Sequence, residues 1–465
     1  MSRRQQDENR RHAVVIGASM GGLAAAAALA PFYERVTILE RDELPDRAAH
    51  RRGVPQSKHA HGLQPGGMQA LDTLLPGLVE ALFAAGVPHG DLNQSCSWTV
   101  GGGRFARGEA GLRGIGVTRP FLEHHVRARV AALASVTIRD HVEVLALLAG
   151  DRRVTGVEVR STTGGGAELL EADLVVDASG KVSQLPQWLT ALGYPAPNED
   201  LVHCKMAYLS RRWQLQSTTS ATDLVTIVTP AETPHFGVMI AQEDGTHIVT
   251  LGGLLSSGPN RSDDEYLAFA GRLPDRAIAD ALVGATPLTE LQPSHFPASR
   301  RRRYDKLHSF PAGLLALGDS IASFNPMYGQ GMTVAALEAV ALRDNLARGP
   351  LDWRKFFRQA HRIEDVAWKI STGGDLRFDD VEGKRTPDMK IMNRYLDKLT
   401  TAARTDAVVA TQFLRVAGFI DGPKALVKPS IMRRVLAGAR KNERQPVAAQ
   451  TIETARPQRD ARSAA

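Results

Sequence analysis

The chain has very little cysteine. Only Cys96 and Cys204 occur in 465 residues, with neither a Cys-x-x-Cys pair nor a metal-ligand spacing. That excludes a disulfide framework and points to two reduced, structural thiols in a cytoplasmic protein. No uninterrupted apolar run is long enough to span a bilayer, so no transmembrane segment is expected. The opening MSRRQQDENRRH is polar, and glycines break the apolar stretch that follows, so no secretory signal is read. Aromatic residues make up 6% of the chain, and none interleaves the basic runs as an RNA-binding surface requires. The net charge of +7 is scattered over residues 3–11, Arg51-Arg52, residues 300–303 and the C-terminal tail. No nucleic-acid partner is expected, and both ends read as solvated tails. There is no internal repeat.

What is present begins with a strand, a glycine turn and a helix. Residues 13–16 are an apolar strand candidate, followed by Gly17-Ala18-Ser19-Met20-Gly21-Gly22 and a small-residue helix over 23–29. This order binds a dinucleotide pyrophosphate: Gly17 permits the tight turn, position 19 must be small, and Gly22 lets the helix pack closely. Ser19 replaces the usual middle glycine. A second strand over 35–39 ends in Glu40, about 20 residues beyond the glycines, where an acidic side chain grips ribose hydroxyls. A basic loop after it suits the phosphates of a nicotinamide cofactor or an acidic substrate.

Residues 314–332, LLALGDSIASFNPMYGQGM, carry the second signal. The buried strand over 314–317 ends in Gly318-Asp319, which sets a carboxylate to accept hydrogen bonds from a polyhydroxylated chain. Pro326 to Gly331 form a turn whose glycines Gly329 and Gly331 let backbone approach a flat ring, and Met332 opens an apolar helix. A helix N-terminus there stabilises negative charge on the ring, by roughly 0.3–1 kcal/mol. The pattern suits a flavin.

The length suits two domains, or one with an insertion. The chain reads as α/β: a Rossmann-type FAD-binding domain over 12–200 and 295–350, an inserted mixed β-sheet substrate domain over 201–294, a helical C-terminal region over 351–440, and a disordered tail over 441–465. Between the glycine motifs a basic-faced helix over 122–133 is expected, then strands over 136–148 and 154–160 in a small antiparallel sheet. A buried strand over 172–180 returns to the parallel sheet.

Three separated motifs then carry a resemblance. The Gly17–Gly22 turn with Glu40, the Asp177-Ala-Ser-Gly180 strand end followed by Ser183, and residues 318–332 together resemble the single-component FAD-dependent aromatic hydroxylase superfamily, over about residues 12–440. The loop Arg52-Gly-Val-Pro-Gln-Ser-Lys-His59-Ala-His61-Gly-Leu is most similar to actinobacterial flavin monooxygenases of natural-product pathways, including polyene epoxidases. Ser179 departs from the superfamily's Asp-Gly, whose Asp helps hold the nicotinamide cofactor and the flavin pyrophosphate. The Trp-x-Trp-x-x-Pro segment of flavin halogenases is absent.

The resemblance implies FAD as cofactor and NAD(P)H as electron donor, used directly or through a separate flavin reductase. It implies one oxygen atom of dioxygen delivered, through a flavin C4a-hydroperoxide, to a lipophilic polyene, polyketide or aromatic substrate. Its cofactor positions are Gly17, Ser19, Gly22, Glu40, Arg52, Gln56, Arg119, Val142, Asp319, Pro326, Gly329, Gly331 and Met332; Arg119 has the alternative of a surface pair with Glu123. Tyr208, Trp213, Phe236, Met239, Phe324 and Tyr328 are substrate-pocket candidates. His59 and His61 are candidate acid–base groups, with loop hydrogen bonding as the alternative. A His-x-His pair without a third ligand does not indicate a metal. The C-terminal ALVKPSIMRRVLAGARK is amphipathic and basic, leaving a weak membrane contact open beside an ordinary surface helix. Two other functions stay open: a flavin dehydrogenase or prenyl-chain reductase, and a non-catalytic FAD-binding module.

Overall fold

The computed structural model describes residues 10–216 and 223–443. Five parallel strands form its central sheet, in the spatial order Leu314–Ala316, Leu174–Asp177, His12–Ile16, Arg35–Leu39, Val136–Arg139. Their apolar side chains are buried because helices cover the sheet, as a parallel sheet requires. The helix Met20–Leu29 is almost all Ala, Gly and Leu and packs against the helix Gly331–Ala347. Small side chains allow that approach, and Gly22 is obligatory: a Cβ there would stand 1.7 Å from the Gly17 carbonyl oxygen.

The stretch expected as one strand over 136–148 is two. Val136–Arg139 completes the parallel sheet, the chain reverses at His141 with φ of 55°, and Val142–Gly150 starts a separate antiparallel sheet with Arg153–Ser161 and Ala167–Glu171. A polar Asp140-His141 pair breaks the apolar run, and only the alternative pairing partners show that the break is a change of sheet.

A second, eight-stranded mixed sheet is built mainly on Met206–Gln214, Val225–Val228, His235–Ala241 and His247–Gly253. It is not confined to residues 201–294. Cys96–Val100 adds to it parallel to Val225–Val228, and Gly103–Arg104 follows at the edge. The helix Asp263–Gly271 covers one face, burying Tyr266 and Phe269 against Trp213 and Met239. Burying each such side chain contributes roughly 1.5–3 kcal/mol.

Helices Trp353–Asp375, Pro387–Ala403, Ala407–Ala417 and Pro429–Glu443 close the chain. The last one continues through 441–443, where a tail was expected, and residues 444–465 lie outside the described part. Its Ile431 and Val435 are buried against Leu399 and Ala402, so much of the face that suggested a membrane contact is spent on the protein itself. Among the described residues no helix is long and apolar enough to cross a membrane.

Candidate active site

A cavity of about 560 Å³ lies between the two sheets. On one side it is lined by the starts and ends of the parallel-sheet elements: Ser19, Met20 and Gly21, Arg119, Ser179 to Lys181, Asp319, and the turn from Pro326 to Met332. The other wall is Met206, Tyr208, Phe236, Val238 and Ile240 from the mixed sheet, with Trp98 and Phe324.

The glycine turn is held from outside. Gly17 has φ of +100° and no room for a Cβ, which would meet the Ala178 carbonyl oxygen at 2.7 Å. Glu40 accepts the Ala18 N–H at 2.9 Å on Oε2 and the Asp42 N–H at 3.1 Å on Oε1, and lies 3.1 Å from Nη1 of Arg51. Four lone-pair positions per carboxylate leave it able to accept ribose hydroxyls as well. The Val142 N–H donates to the Glu40 carbonyl at 2.8 Å, so these two positions are adjacent, outside the cavity lining.

Ser19 precedes the helix but does not cap it. Its hydroxyl instead accepts from Arg119 Nη2 at 2.7 Å, which leaves the first helical N–H groups open toward the cavity. Arg119 does pair with Glu123, at 3.0 Å, yet it is buried rather than on the surface. Arg51 donates to the same Glu123 from Nε at 2.8 Å. Burial works to raise the Glu123 carboxyl, and the Arg119 and Arg51 guanidiniums outweigh it and hold it below the usual range. Arg51 Nη2 is buried without a partner. An open helix N-terminus beside Arg119, whose charge Glu123 only partly neutralises, fits a pyrophosphate. The expected Arg52 is exposed, its neighbour Arg51 is turned into the protein, and neither belongs to the lining; Gln56 does line the cavity.

Asp319 enters the cavity from the end of the Leu314–Ala316 strand. Burial raises its carboxyl, opposed by the charges of Lys181 and Arg119. Behind it the Gly318 N–H donates to Glu338 Oε2 at 2.7 Å. The Pro326–Met332 turn is pinned by Asn325, whose side chain accepts the Met327 N–H at 3.0 Å and donates to Asp375 at 3.0 Å. Gly329 takes φ of 63°, and a Cβ on Gly331 would come within 3.6 Å of Asp319 Oδ1. These residues make a ring-sized approach between backbone and carboxylate, and they fit the flavin and its ribityl chain.

Ser179 donates to Asp177 through both its N–H and its hydroxyl, and Ser183 donates to the other oxygen of that carboxyl. Burial raises the Asp177 carboxyl, with those bonds opposing. A second acid at 179 would face the Asp177 carboxylate, which is a physical reason for serine there.

Two substrate-pocket candidates are corrected. Trp213 and Met239 point to the opposite face of the mixed sheet, into the core under the Asp263–Gly271 helix. Side chains alternate along a strand, so Met206 and Tyr208 share the cavity face while Trp213 does not, and Phe236, Val238 and Ile240 share it while Met239 does not. Met206, Val238, Ile240 and Trp98 were missed. Tyr208, Phe236, Phe324 and Tyr328 line the cavity.

His59 and His61 also line it. Burial, with the Lys58 charge next, pushes the His59 imidazole down to about 4. Burial, with Arg119 next, pushes His61 down to about 3. Both rings are neutral near pH 7. Among the described residues no group of three or more His, Cys, Asp or Glu is arranged to hold a metal.

The chain has known relatives across most of its length. It is 36% identical over 445 residues to protein Rv3254 of Mycobacterium tuberculosis (strain ATCC 25618 / H37Rv), covering 92% of this chain and 93% of that one. Among solved structures, the p-nitrophenol 4-monooxygenase PnpA of Pseudomonas putida DLL-E4 superposes with a TM-score of 0.63 at 16% identity, over 89% of this chain and 98% of that one. The flavin-dependent brominase Bmp2 superposes with a TM-score of 0.63 at 15% identity, over 93% of this chain and 100% of that one. At such identities these two show a shared fold only. A family model described as an FAD binding domain matches residues 10–350, spanning the glycine turn, the Asp177 strand end and the Asp319 segment. With its motifs converging on one cavity in the order that such a domain needs, the chain belongs to the FAD-binding-domain family.

Proposed function

We propose that the protein is an FAD-dependent monooxygenase that inserts one oxygen atom from dioxygen into a lipophilic substrate, by epoxidation in natural-product biosynthesis. The observation that carries this reading is the two-walled cavity: a cofactor-type wall facing an apolar sheet face. When bound, reduced FAD supplies the reactive oxygen from dioxygen. The chain's own residues bind and exclude. Asp319 would accept from the ribityl hydroxyls, the helix start at Met20 with Arg119 would hold the pyrophosphate, and Glu40, beyond the cavity lining, would hold the ribose. Met206, Phe236, Val238 and Ile240 keep water from the substrate side. Imidazoles at about 4 and 3 make His59 and His61 weak general bases at neutral pH, which suits epoxidation, a reaction that needs neither of them as a base.

NAD(P)H is the proposed electron donor, directly or through a separate reductase. The alternative is a dehydrogenase or prenyl-chain reductase on the same scaffold. An absorbance spectrum of purified protein, anaerobic NADPH and NADH titration, and tracing of labelled dioxygen test the reading together. The expected result is bound oxidised flavin and one labelled oxygen in the product. Reduction of substrate with no label incorporated would establish the alternative.

A further inference from the structure

The two histidines of the 59–61 loop do not make the same hydrogen bonds. His61 Nδ1 lies 2.9 Å from the His59 carbonyl oxygen. A carbonyl only accepts, so Nδ1 carries the proton, and in a neutral ring Nε2 is then a bare acceptor.

His59 is set the other way by a short chain of hydroxyls. Its Nδ1 lies 2.8 Å from Ser210 Oγ, and Ser210 Oγ lies 2.6 Å from Thr250 Oγ1. Thr250 Oγ1 accepts the Ala60 N–H at 3.1 Å. If Thr250 donates to Ser210 and Ser210 donates to His59 Nδ1, every hydroxyl proton in this buried chain is used. The reverse direction leaves the Thr250 hydroxyl proton with no protein acceptor among the described residues, only the cavity that Thr250 also lines. The first direction satisfies more of these groups within the protein, with Nδ1 as the acceptor and the proton on Nε2. That nitrogen has no protein partner among the described residues, is not among the sealed buried polar atoms, and belongs to a ring that lines the cavity. Tyr208 holds the ring edge-to-face with centroids 4.8 Å apart.

We infer that His59 and His61 present opposite polarities to the cavity, and that His59 Nε2–H is a positioning donor for an oxygen acceptor on the substrate. The substrate is then an oxygenated lipophile, carrying a ketone, ester or ether oxygen beside the reacting carbon–carbon bond, rather than a bare hydrocarbon. His59 stands with Ser210 and Thr250 of the mixed sheet, which places this donor on the substrate wall. His61 offers its lone pair near Arg119, whose charge acts on it. The substrate class rests on the monooxygenase reading; the tautomers do not.

Two measurements on the full-length protein test this. In 15N-histidine-labelled protein, with signals assigned by comparison with His59→Gln and His61→Gln, nitrogen shifts are expected to show His59 protonated on Nε2 and His61 on Nδ1. A His59 proton on Nδ1 overturns the inference, whether or not flavin is bound. Calorimetric binding of 2-acetonaphthone and of its hydrocarbon isostere 2-isopropenylnaphthalene to flavin-loaded protein is expected to favour the ketone by about tenfold, the size of one net hydrogen bond. Ser210→Ala is expected to shrink that preference and Ser210→Thr to keep it. Equal binding of the two probes by the unaltered protein overturns the substrate class. Purification without any flavin would instead sink the monooxygenase reading and leave the tautomer measurement standing.

Discussion

The Tyr328 hydroxyl donates to Oδ1 of Asp375 at 3.2 Å, tying the glycine turn at the cavity to the last turn of the Trp353–Asp375 helix. Gly374 makes room for it, since a Cβ there would lie 2.1 Å from the hydroxyl. The Tyr328 ring thus lines the cavity while its hydroxyl is anchored in the protein.

Burial pushes the Asp375 carboxyl up to about 7, against the hydrogen bonds from Asn325 and Tyr328. The folded state therefore keeps a proton that the unfolded chain releases near its ordinary 3.8. The contribution to stability is complete below that value and is lost as pH rises through about 7. Asp375→Asn keeps both acceptor bonds and removes the titration. Melting temperatures from pH 4 to 8 are expected to fall less steeply for the variant, and parallel curves would count against this assignment.

Glu338 and Glu364 form a buried carboxyl pair behind Asp319, and Oε1 of each lacks any other partner. A proton between them satisfies both. Burial first, then the neighbouring Glu364 charge, raises Glu338 well above the carboxylate range, and burial raises Glu364 to about 8. Glu338→Gln still accepts the Gly318 N–H and donates to Glu364, so it is expected to be tolerated. Glu338→Ala strands the Gly318 N–H and is expected to cost about 1–3 kcal/mol or more in urea unfolding. Glu338, raised further, keeps the shared proton, and the stability that comes from the raised Glu364 carboxyl is lost as pH rises through about 8.

Arg51 and Arg52 separate a buried role from an exposed one. Arg51→Met leaves Glu40 and Glu123 short of a partner and is expected to cost about 3 kcal/mol and weaken FAD retention. Arg52→Met should stay within about 0.5 kcal/mol of the parent. Denaturant unfolding with fluorimetric FAD titration of both variants checks the contrast. Equal losses would mean that the loop is placed differently in solution.

Asp319→Ala is expected to lose roughly 10- to 100-fold in FAD affinity, because charge-assisted hydrogen bonds to hydroxyls are worth about 1.5–3 kcal/mol. Fluorescence titration of the apoprotein measures it, and undiminished affinity would show that this carboxylate does not face the ribityl chain.

The sequence by itself determined the parts whose physics is local. A strand, a glycine turn that only a positive φ at Gly17 can make, and an Ala-rich helix follow from propensity and spacing, and so do Glu40, Asp319 and the Gly329–Gly331 turn. The α/β architecture with a mixed second sheet and a helical end was legible for the same reason. Only the tertiary structure decided which face of that sheet meets the cofactor wall. Period-two alternation groups Tyr208 with Met206 and sets Trp213 apart, but it takes the helix Asp263–Gly271 packing on one side to say which group is core and which is pocket. The same holds for Arg51 over Arg52, for Asp375 beneath Tyr328, and for Glu364 against Glu338. Each depends on residues far apart in the chain meeting in a low-dielectric interior, where partners are chosen by packing and by the cost of an unpaired polar atom, and no local pattern records that choice.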